Sequence, residues 1–142
     1  MERGGVGLGR HIIAEFYGCK RELLDDIRFI KHILIKAAIL SNSTVIGYGF
    51  HRFKPHGVSG YVLVAESHLS IHTWPEYGYA AVDIFTCGEH TNPNIGLAEL
   101  QKQLEAKKVV TTELIRGLDV RSNISTKVNN DIEEKFSREF NI

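Results

Sequence analysis

The chain is poor in the residues that mark disulfide-rich, collagen-like and membrane proteins. Its 142 residues include two cysteines, three prolines and one tryptophan. Two cysteines, Cys19 and Cys87, are too few for a disulfide scaffold. The most apolar stretch, residues 33–40, contains Lys36 and is too short to span a bilayer. We therefore expect a cytoplasmic protein with reduced thiols and no membrane partner.

The chain also has no excess of either charge. Lys and Arg together number 17, as do Asp and Glu, so the formal net charge is zero. A balanced charge gives no general attraction to nucleic acid, and we expect no nucleic-acid partner. The hydrophobic share of 43% and the length are typical of one globular domain.

Hydrophobic periodicity predicts six strands and two main helices. The strands are predicted over residues 11–17, 44–53, 60–65, 67–74, 79–86 and 109–115, and the helices over 21–40 and 95–106. This order predicts an α+β fold: a two-layer sandwich in which helices cover one face of a mostly antiparallel sheet. Residues 118–142 are polar and read as a tail after a domain of residues 1–117, with a short helix near 132–140.

One face of such a sheet is left without a covering layer. The strands are strongly apolar, so we expect a homodimer that packs sheet against sheet.

The densest group of reactive side chains lies within residues 66–77, and Cys87 follows at the end of the next strand. One interpretation is a metal site, in which His68 and His72 join His51, His56, His90 or Cys87. However, residues four apart on a strand lie about 13 Å apart, too far for two ligands of one ion. No paired Cys-x-x-Cys or His-Glu-x-x-His motif is present, and we expect no metal.

A second interpretation is nucleophilic catalysis by a serine or by Cys87. The hydroxyl of Ser67 follows the Glu66 carbonyl, which is the arrangement needed for an internal acyl shift. Such a shift, followed by β-elimination, would cut the chain and leave a pyruvoyl group. A third interpretation is structural, with polar histidines on the sheet surface and Cys87 packed as a small apolar residue.

Four separate blocks of sequence match one family in order. They are ESHLSIHTWPEY at 66–77 with DIFTCG at 83–88, GRH at 9–11, EFYGC at 15–19, and FHRF at 50–53 with GVSG at 57–60. Over residues 8–117 the chain closely resembles the short prokaryotic S-adenosylmethionine decarboxylases. The tail carries no matching motif.

The resemblance implies a proenzyme that cuts itself between Glu66 and Ser67. Residues 1–66 would become a β chain, and residues 67–142 an α chain that begins with a pyruvoyl group made from Ser67. That group would form a Schiff base with S-adenosylmethionine and accept the electrons released when CO₂ leaves. Two such αβ units would form a dimer in which both protomers complete each site.

The resemblance also assigns roles to individual residues. Ser67 is the pyruvoyl precursor, His72 accepts the α-proton during processing, and Cys87 donates a proton in decarboxylation. Ser59 supports processing. The substrate-binding residues carried over are Phe53 and Leu8 on the two faces of the adenine and Glu76 on the ribose hydroxyls.

The implied function is conversion of S-adenosylmethionine to its decarboxylated form and CO₂, for spermidine and polyamine synthesis. One alternative is a pyruvoyl-dependent arginine decarboxylase of the same family, because the self-cleavage residues are shared. Another is an uncleaved, non-catalytic regulator.

Overall fold

The computed structural model describes residues 7–118, 120 and 138–139. Within residues 7–118, three helices lie between strands: α1 (Arg21–Leu24), α2 (Ile27–Leu40) and α3 (Pro93–Leu104). A 3-10 turn spans Pro75–Tyr77. The six strands are β1 (Gly9–Tyr17), β2 (Val45–Arg52), β3 (Val58–Val64), β4 (Ser67–Trp74), β5 (Tyr79–Cys87) and β6 (Lys108–Arg116).

The strands form one antiparallel sheet in the order β2-β3-β4-β5-β1-β6. Side chains of β4 alternate between its two faces, as the sequence predicts. Leu69 and Ile71 are fully buried, whereas Trp74 remains 40% exposed.

The helices cover one face of this sheet and enclose the core. Ile30, Ile33 and Leu34 of α2 and Leu100 of α3 are fully buried against strand residues such as Val62. Gly96 lets α3 approach α2 closely, since a Cβ there would lie 2.3 Å from the Ser41 hydroxyl. The predicted two-layer α+β sandwich is therefore confirmed.

The single helix predicted over residues 21–40 is wrong, because the chain breaks at Asp25 and Asp26. Asp26 has an extended backbone and caps α2 by accepting a hydrogen bond from the Phe29 N–H at 3.1 Å. Asp25 accepts from the Gly57 N–H at 2.9 Å and pairs with Arg52 at 2.8 Å. Aspartate prefers helix ends to helix interiors, and these distant partners fix the break.

The second face of the sheet carries aromatic and aliphatic side chains without a covering layer in the described chain. Trp74 and Tyr17 both stack on Tyr79, with ring centroids 5.3 and 5.6 Å away. Tyr61 is 52% exposed and Leu63 45%. The homodimer predicted for this face stays a prediction.

Most of residues 118–142, including most of the helix predicted near 132–140, lies outside the described residues. The division of the chain after Gly117 therefore stays a prediction.

None of the described helices has the length and apolar character needed to cross a membrane.

Candidate active site

The Glu66–Ser67 peptide lies at the tight turn between β3 and β4. Val64 and Ser67 are paired across the two strands, so only Ala65 and Glu66 form the turn. Ser67 has a φ of 139°, a region that residues with a side chain rarely occupy. Such backbone strain costs about 1–3 kcal/mol and persists only where the surroundings hold it.

Cys87, at the end of β5, holds the carbonyl of this peptide. The Glu66 carbonyl oxygen accepts hydrogen bonds from the Cys87 backbone N–H at 2.8 Å and from the Cys87 thiol at 2.9 Å. The Ser67 hydroxyl lies 3.4 Å from the same sulfur. Two donors on one carbonyl polarise its carbon and stabilise negative charge on its oxygen, as in an oxyanion hole.

The Glu66 side chain is anchored as firmly as its carbonyl. The carboxylate is buried, accepts the Thr44 N–H at 2.7 Å, and lies 3.3 Å from His90 Nε2. The Thr44 hydrogen bond, with a smaller contribution from His90, holds the pKa of Glu66 below its usual value. Sequence reasoning missed both supports, because nothing near Thr44 or His90 in the sequence points to Glu66.

Ser59 and His72 form a second cluster. They face each other across β3 and β4, and the Ser59 hydroxyl lies 2.7 Å from His72 Nδ1. Phe53 follows β2 and packs edge-on against His51, with centroids 4.7 Å apart. Glu76, in the 3-10 turn after β4, is in direct contact with His56.

These two clusters lie toward opposite ends of the sheet. Antiparallel pairing brings the start of β4, the end of β5 and the start of β1 together, so Ser67, Cys87 and Leu8 share one end. The ends of β2 and β4, with Phe53 and Glu76 just beyond them, lie at the other. Ser67 and His72 are five residues apart on β4, which is about 17 Å.

Leu8 borders a cavity at the Ser67 end. The cavity has a volume of about 540 Å³ and is lined by Leu8, Arg10, Cys87 and Glu89, among others. Leu8 is 65% exposed. It is thus near Cys87 and remote from Phe53, its predicted partner on the adenine.

The two cysteines differ in environment. Cys19 is in the core, and burial raises the pKa of its thiol to about 11, which keeps it protonated. Cys87 is only partly buried and contacts both Glu66 and Ser67. Cys87 is therefore the cysteine placed for chemistry.

Comparison with known proteins decides the family. The family model described as S-adenosylmethionine decarboxylase matches residues 10–117. The chain belongs to the S-adenosylmethionine decarboxylase family. The match covers both clusters and all of the described sheet except Gly9.

Relatives and a solved structure agree with this assignment. The S-adenosylmethionine decarboxylase proenzyme of Caldanaerobacter subterraneus is 52% identical over 78% of this chain and 90% of its own. That of Thermotoga maritima is 54% identical over 78% of this chain and 85% of its own. The crystal structure of the Aquifex aeolicus adenosylmethionine decarboxylase, at 36% identity and a TM-score of 0.75, covers 86% of this chain and 99% of that one.

Proposed function

We propose that this chain is an S-adenosylmethionine decarboxylase proenzyme that cuts itself between Glu66 and Ser67. The family match and the shared name of its relatives favour this function over arginine decarboxylation. The word proenzyme in those names also favours a cleaved enzyme over an uncleaved regulator. The product would be the aminopropyl donor for polyamine synthesis.

The observation that carries the proposal is the environment of the Glu66 carbonyl. Ser67 Oγ attacks the carbonyl carbon, the C–N bond breaks, and the amide nitrogen takes the hydroxyl proton, which leaves an ester. The Cys87 N–H and thiol are already on the carbonyl oxygen, where negative charge develops. The Thr44 N–H and His90 keep Glu66 fixed while its peptide bond changes.

A base then completes the cleavage. It removes the α-proton of Ser67, β-elimination expels the Glu66 carboxylate, and the dehydroalanine left behind hydrolyses to a pyruvoyl group with release of ammonia. We assign the base to His72, because imidazole is the side chain that most often accepts a proton in general base catalysis. Ser59 orients the ring through its 2.7 Å contact with Nδ1.

His72 must reach Ser67 from a second copy of the chain. The two residues are about 17 Å apart within one protomer, too far for direct proton transfer. A dimer that packs the uncovered sheet faces together can bring the His72 end of one sheet to the Ser67 end of the other. The exposed Trp74, Tyr61 and Leu63 give this face the apolar character of an interface.

The same reasoning places the substrate between two protomers. Leu8 and Cys87 would come from one copy, and Phe53 and Glu76 from the other. Phe53 offers an aromatic face for the adenine and for the sulfonium cation. The Glu76 carboxylate can accept both ribose hydroxyls once it leaves His56.

The surroundings of Ser67 fit a pyruvoyl group, because Glu66 and Cys87 already enclose the position where it would form. A pyruvoyl group there supplies a ketone that accepts the electrons released as CO₂ leaves. Cys87 then returns a proton to the substrate α-carbon, because its sulfur already lies 3.4 Å from Ser67 Oγ.

Intact mass spectrometry of the wild type beside Ser67→Ala tests the cleavage. We expect two wild-type chains, residues 1–66 and 67–142, with the second lighter than its coded mass by one ammonia. Ser67→Ala should stay whole. A wild-type chain that stays whole at all pH values, with or without a diamine, would contradict the proposal.

Release of CO₂ from carboxyl-labelled S-adenosylmethionine and from labelled arginine tests the substrate. We expect release from S-adenosylmethionine only, and none from the Ser67→Ala variant. Release from arginine alone, by a correctly cleaved chain, would keep the cleavage and overturn the substrate.

A further inference from the structure

Three ligating side chains meet on the uncovered face of the sheet, beside the cleavage site and outside the mechanism above. His11 on β1 and His68 on β4 both lie opposite Phe85 of β5, so they flank the same position of the strand between them. Asp83 is two residues earlier on β5 and points to the same face, between the two imidazoles. This cluster is not evident from the sequence, because its members are 15 to 72 residues apart along the chain.

Two of the distances in this cluster are close to those between ligands of one metal ion. His68 Nε2 lies 3.0 Å from Asp83 Oδ1, and His11 Nε2 lies 3.4 Å from the same oxygen. All three ligand atoms are within 4.8 Å of one another. Metal–ligand bonds of 2.0–2.1 Å in tetrahedral geometry place neighbouring ligand atoms about 3.3 Å apart.

The environment of His11 supports a metal site independently of these distances. Its Nε2 is buried and makes no hydrogen bond among the described residues, so the fold leaves a strong polar atom unsatisfied beside a carboxylate. Buried polar atoms without a partner are rare and call for an explanation such as an ion.

The surroundings orient the ligands. The Ser70 hydroxyl donates to Asp83 Oδ2 at 2.9 Å, which fixes the carboxylate and turns Oδ1 toward the histidines. The Phe85 ring packs against both imidazoles, with centroids 5.4 and 5.9 Å away, and forms an apolar wall. A hydrogen bond to a ligating carboxylate and an apolar surround are typical of protein metal sites.

We propose that His11, His68 and Asp83 bind a divalent first-row transition metal, with zinc as the first candidate. Two imidazole nitrogens and one carboxylate suit zinc, cobalt or iron and are unsuited to magnesium or calcium, which prefer oxygen. Three protein ligands leave at least one position for water or for a group from a second protomer. The site does not depend on the decarboxylase function, since none of its ligands takes part in the proposed cleavage.

The competing explanation is a metal-free network in which His68 hydrogen-bonds Asp83 and His11 lies beside the same carboxylate. That network needs no ion, whereas the proposed site takes up one equivalent of metal per chain. The two explanations therefore differ in binding stoichiometry.

Titration of tag-free, chelator-treated protein with Co²⁺ and Zn²⁺ tests the proposal. We expect one equivalent per chain, a visible spectrum of tetrahedral or five-coordinate cobalt, and no thiolate-to-metal band in the near ultraviolet. His11→Gln and His68→Gln should abolish this binding, and Ser70→Ala should weaken it roughly 10- to 100-fold. His32→Gln, which removes an exposed histidine of α2, is the matched control and should bind as the wild type does.

Several results would overturn the proposal. The first is a wild type that does not bind metal stoichiometrically. The second is equal metal binding by wild type and His11→Gln. The third is a thiolate-to-cobalt band that disappears in Cys87→Ser. Thermal melting of metal-free protein shows whether each variant is folded. A variant that unfolds is replaced by Ser70→Ala, which removes only the hydroxyl that donates to Asp83. Intact mass of the same samples reports the cleavage separately, so failure of the metal site and failure of the proposed function are distinguishable.

Discussion

At the scale of single residues, Cys87 links the two reactions proposed for this chain. Its backbone N–H and its thiol both reach the Glu66 carbonyl, and its sulfur reaches the Ser67 hydroxyl. The backbone donor is present whatever the side chain, whereas the thiol proton is specific to cysteine. Substitution of the side chain should therefore affect the two reactions unequally.

We predict that Cys87→Ser still cuts itself but loses most of its decarboxylase activity. The N–H donor to Glu66 remains, whereas a hydroxyl is a far weaker acid than a thiol. The expected fall in kcat is roughly 10²- to 10⁴-fold, the usual contribution of a general acid. Intact mass and CO₂ release from the same sample separate the two effects.

Cys19→Ala is the control for this prediction, because Cys19 is a buried core thiol remote from Glu66. It should lower stability and leave kcat close to the wild-type value. If Cys87→Ser keeps kcat within about threefold, a factor worth less than 1 kcal/mol of barrier, the proton donor is another group.

At the scale of elements, the β2–β3 hairpin depends on aromatic rings that lie over glycines. The Phe50 ring covers Gly60, its partner across the hairpin, and the Tyr61 ring covers Gly49 in the next row. Each ring occupies the space that a side chain would fill, a known way of stabilising glycine in strands. Ser59 lies on β3 and Phe53 lies in the loop just after β2, so the pairing register of the hairpin positions both residues.

We predict that Gly60→Ala destabilises the fold by about 1–3 kcal/mol, as overpacking commonly does. A Cβ at this position would lie 2.0 Å from the Phe50 ring, which would have to move. Gly47→Ala on β2 is the matched control, because nothing lies within 4 Å of its Cβ position. Its effect should stay within about 0.5 kcal/mol, and urea unfolding of both variants measures the difference.

A second contact between elements joins Asp25, at the junction of α1 and α2, to Arg52 and Gly57. Its contribution to stability should depend on pH. The Gly57 N–H and then Arg52 hold the pKa of Asp25 below its ordinary 3.8. A lowered folded-state pKa means that the carboxylate stabilises the fold above pH 3.8, and that this contribution is lost as pH falls through the folded value.

We predict that Asp25→Asn lowers the free energy of unfolding by about 1 kcal/mol at neutral pH, a modest loss because Asp25 and Arg52 are both partly exposed. The difference from wild type should shrink as the pH falls below 3.8 and through the lower folded-state pKa. Urea unfolding over this pH series measures it. A difference that stays constant with pH would show that the Asp25 charge is not responsible.

At the scale of the whole molecule, one described chain does not bring the two halves of the proposed site together. Ser67 and His72 lie on one continuous strand, so the 17 Å or so between them does not close by a local movement. A second copy is the simplest source of the missing half, because an interface of two identical copies presents both ends of the sheet.

We predict that two inactive variants restore cleavage in each other. Ser67→Ala and His72→Ala should each stay whole when expressed alone. When they are expressed together, the His72→Ala chain should be cut, because its Ser67 meets the intact His72 of its partner. Intact mass identifies the cut chain, since the two variants differ in mass.

In the matched control, the His72→Ala chain is expressed together with a chain that carries both Ser67→Ala and His72→Ala. No chain of that pair should be cut, because no His72 remains. If the first pair also stays whole although the two chains co-purify, the base must come from the same chain as Ser67.

Much of the architecture follows from local properties of the chain. Alternation along β4 predicted which residues face the core, because a strand exposes its two faces in turn. The Glu66–Ser67 pair and Cys87 could be chosen from sequence because their motifs lie within short blocks. The helix break at Asp25 could not, because its causes are Gly57 and Arg52, which are distant in the sequence.

The sequence by itself determined the order of strands and helices apart from the break at Asp25, the family and the candidate reactive residues, since each is encoded over a few neighbouring positions. Only the tertiary structure decided that Thr44 and His90 hold Glu66, that His11 and His68 converge on Asp83, and that Ser67 and His72 lie toward opposite ends of one sheet. The physical reason is strand pairing, which joins residues by register across the sheet and is independent of their separation along the chain.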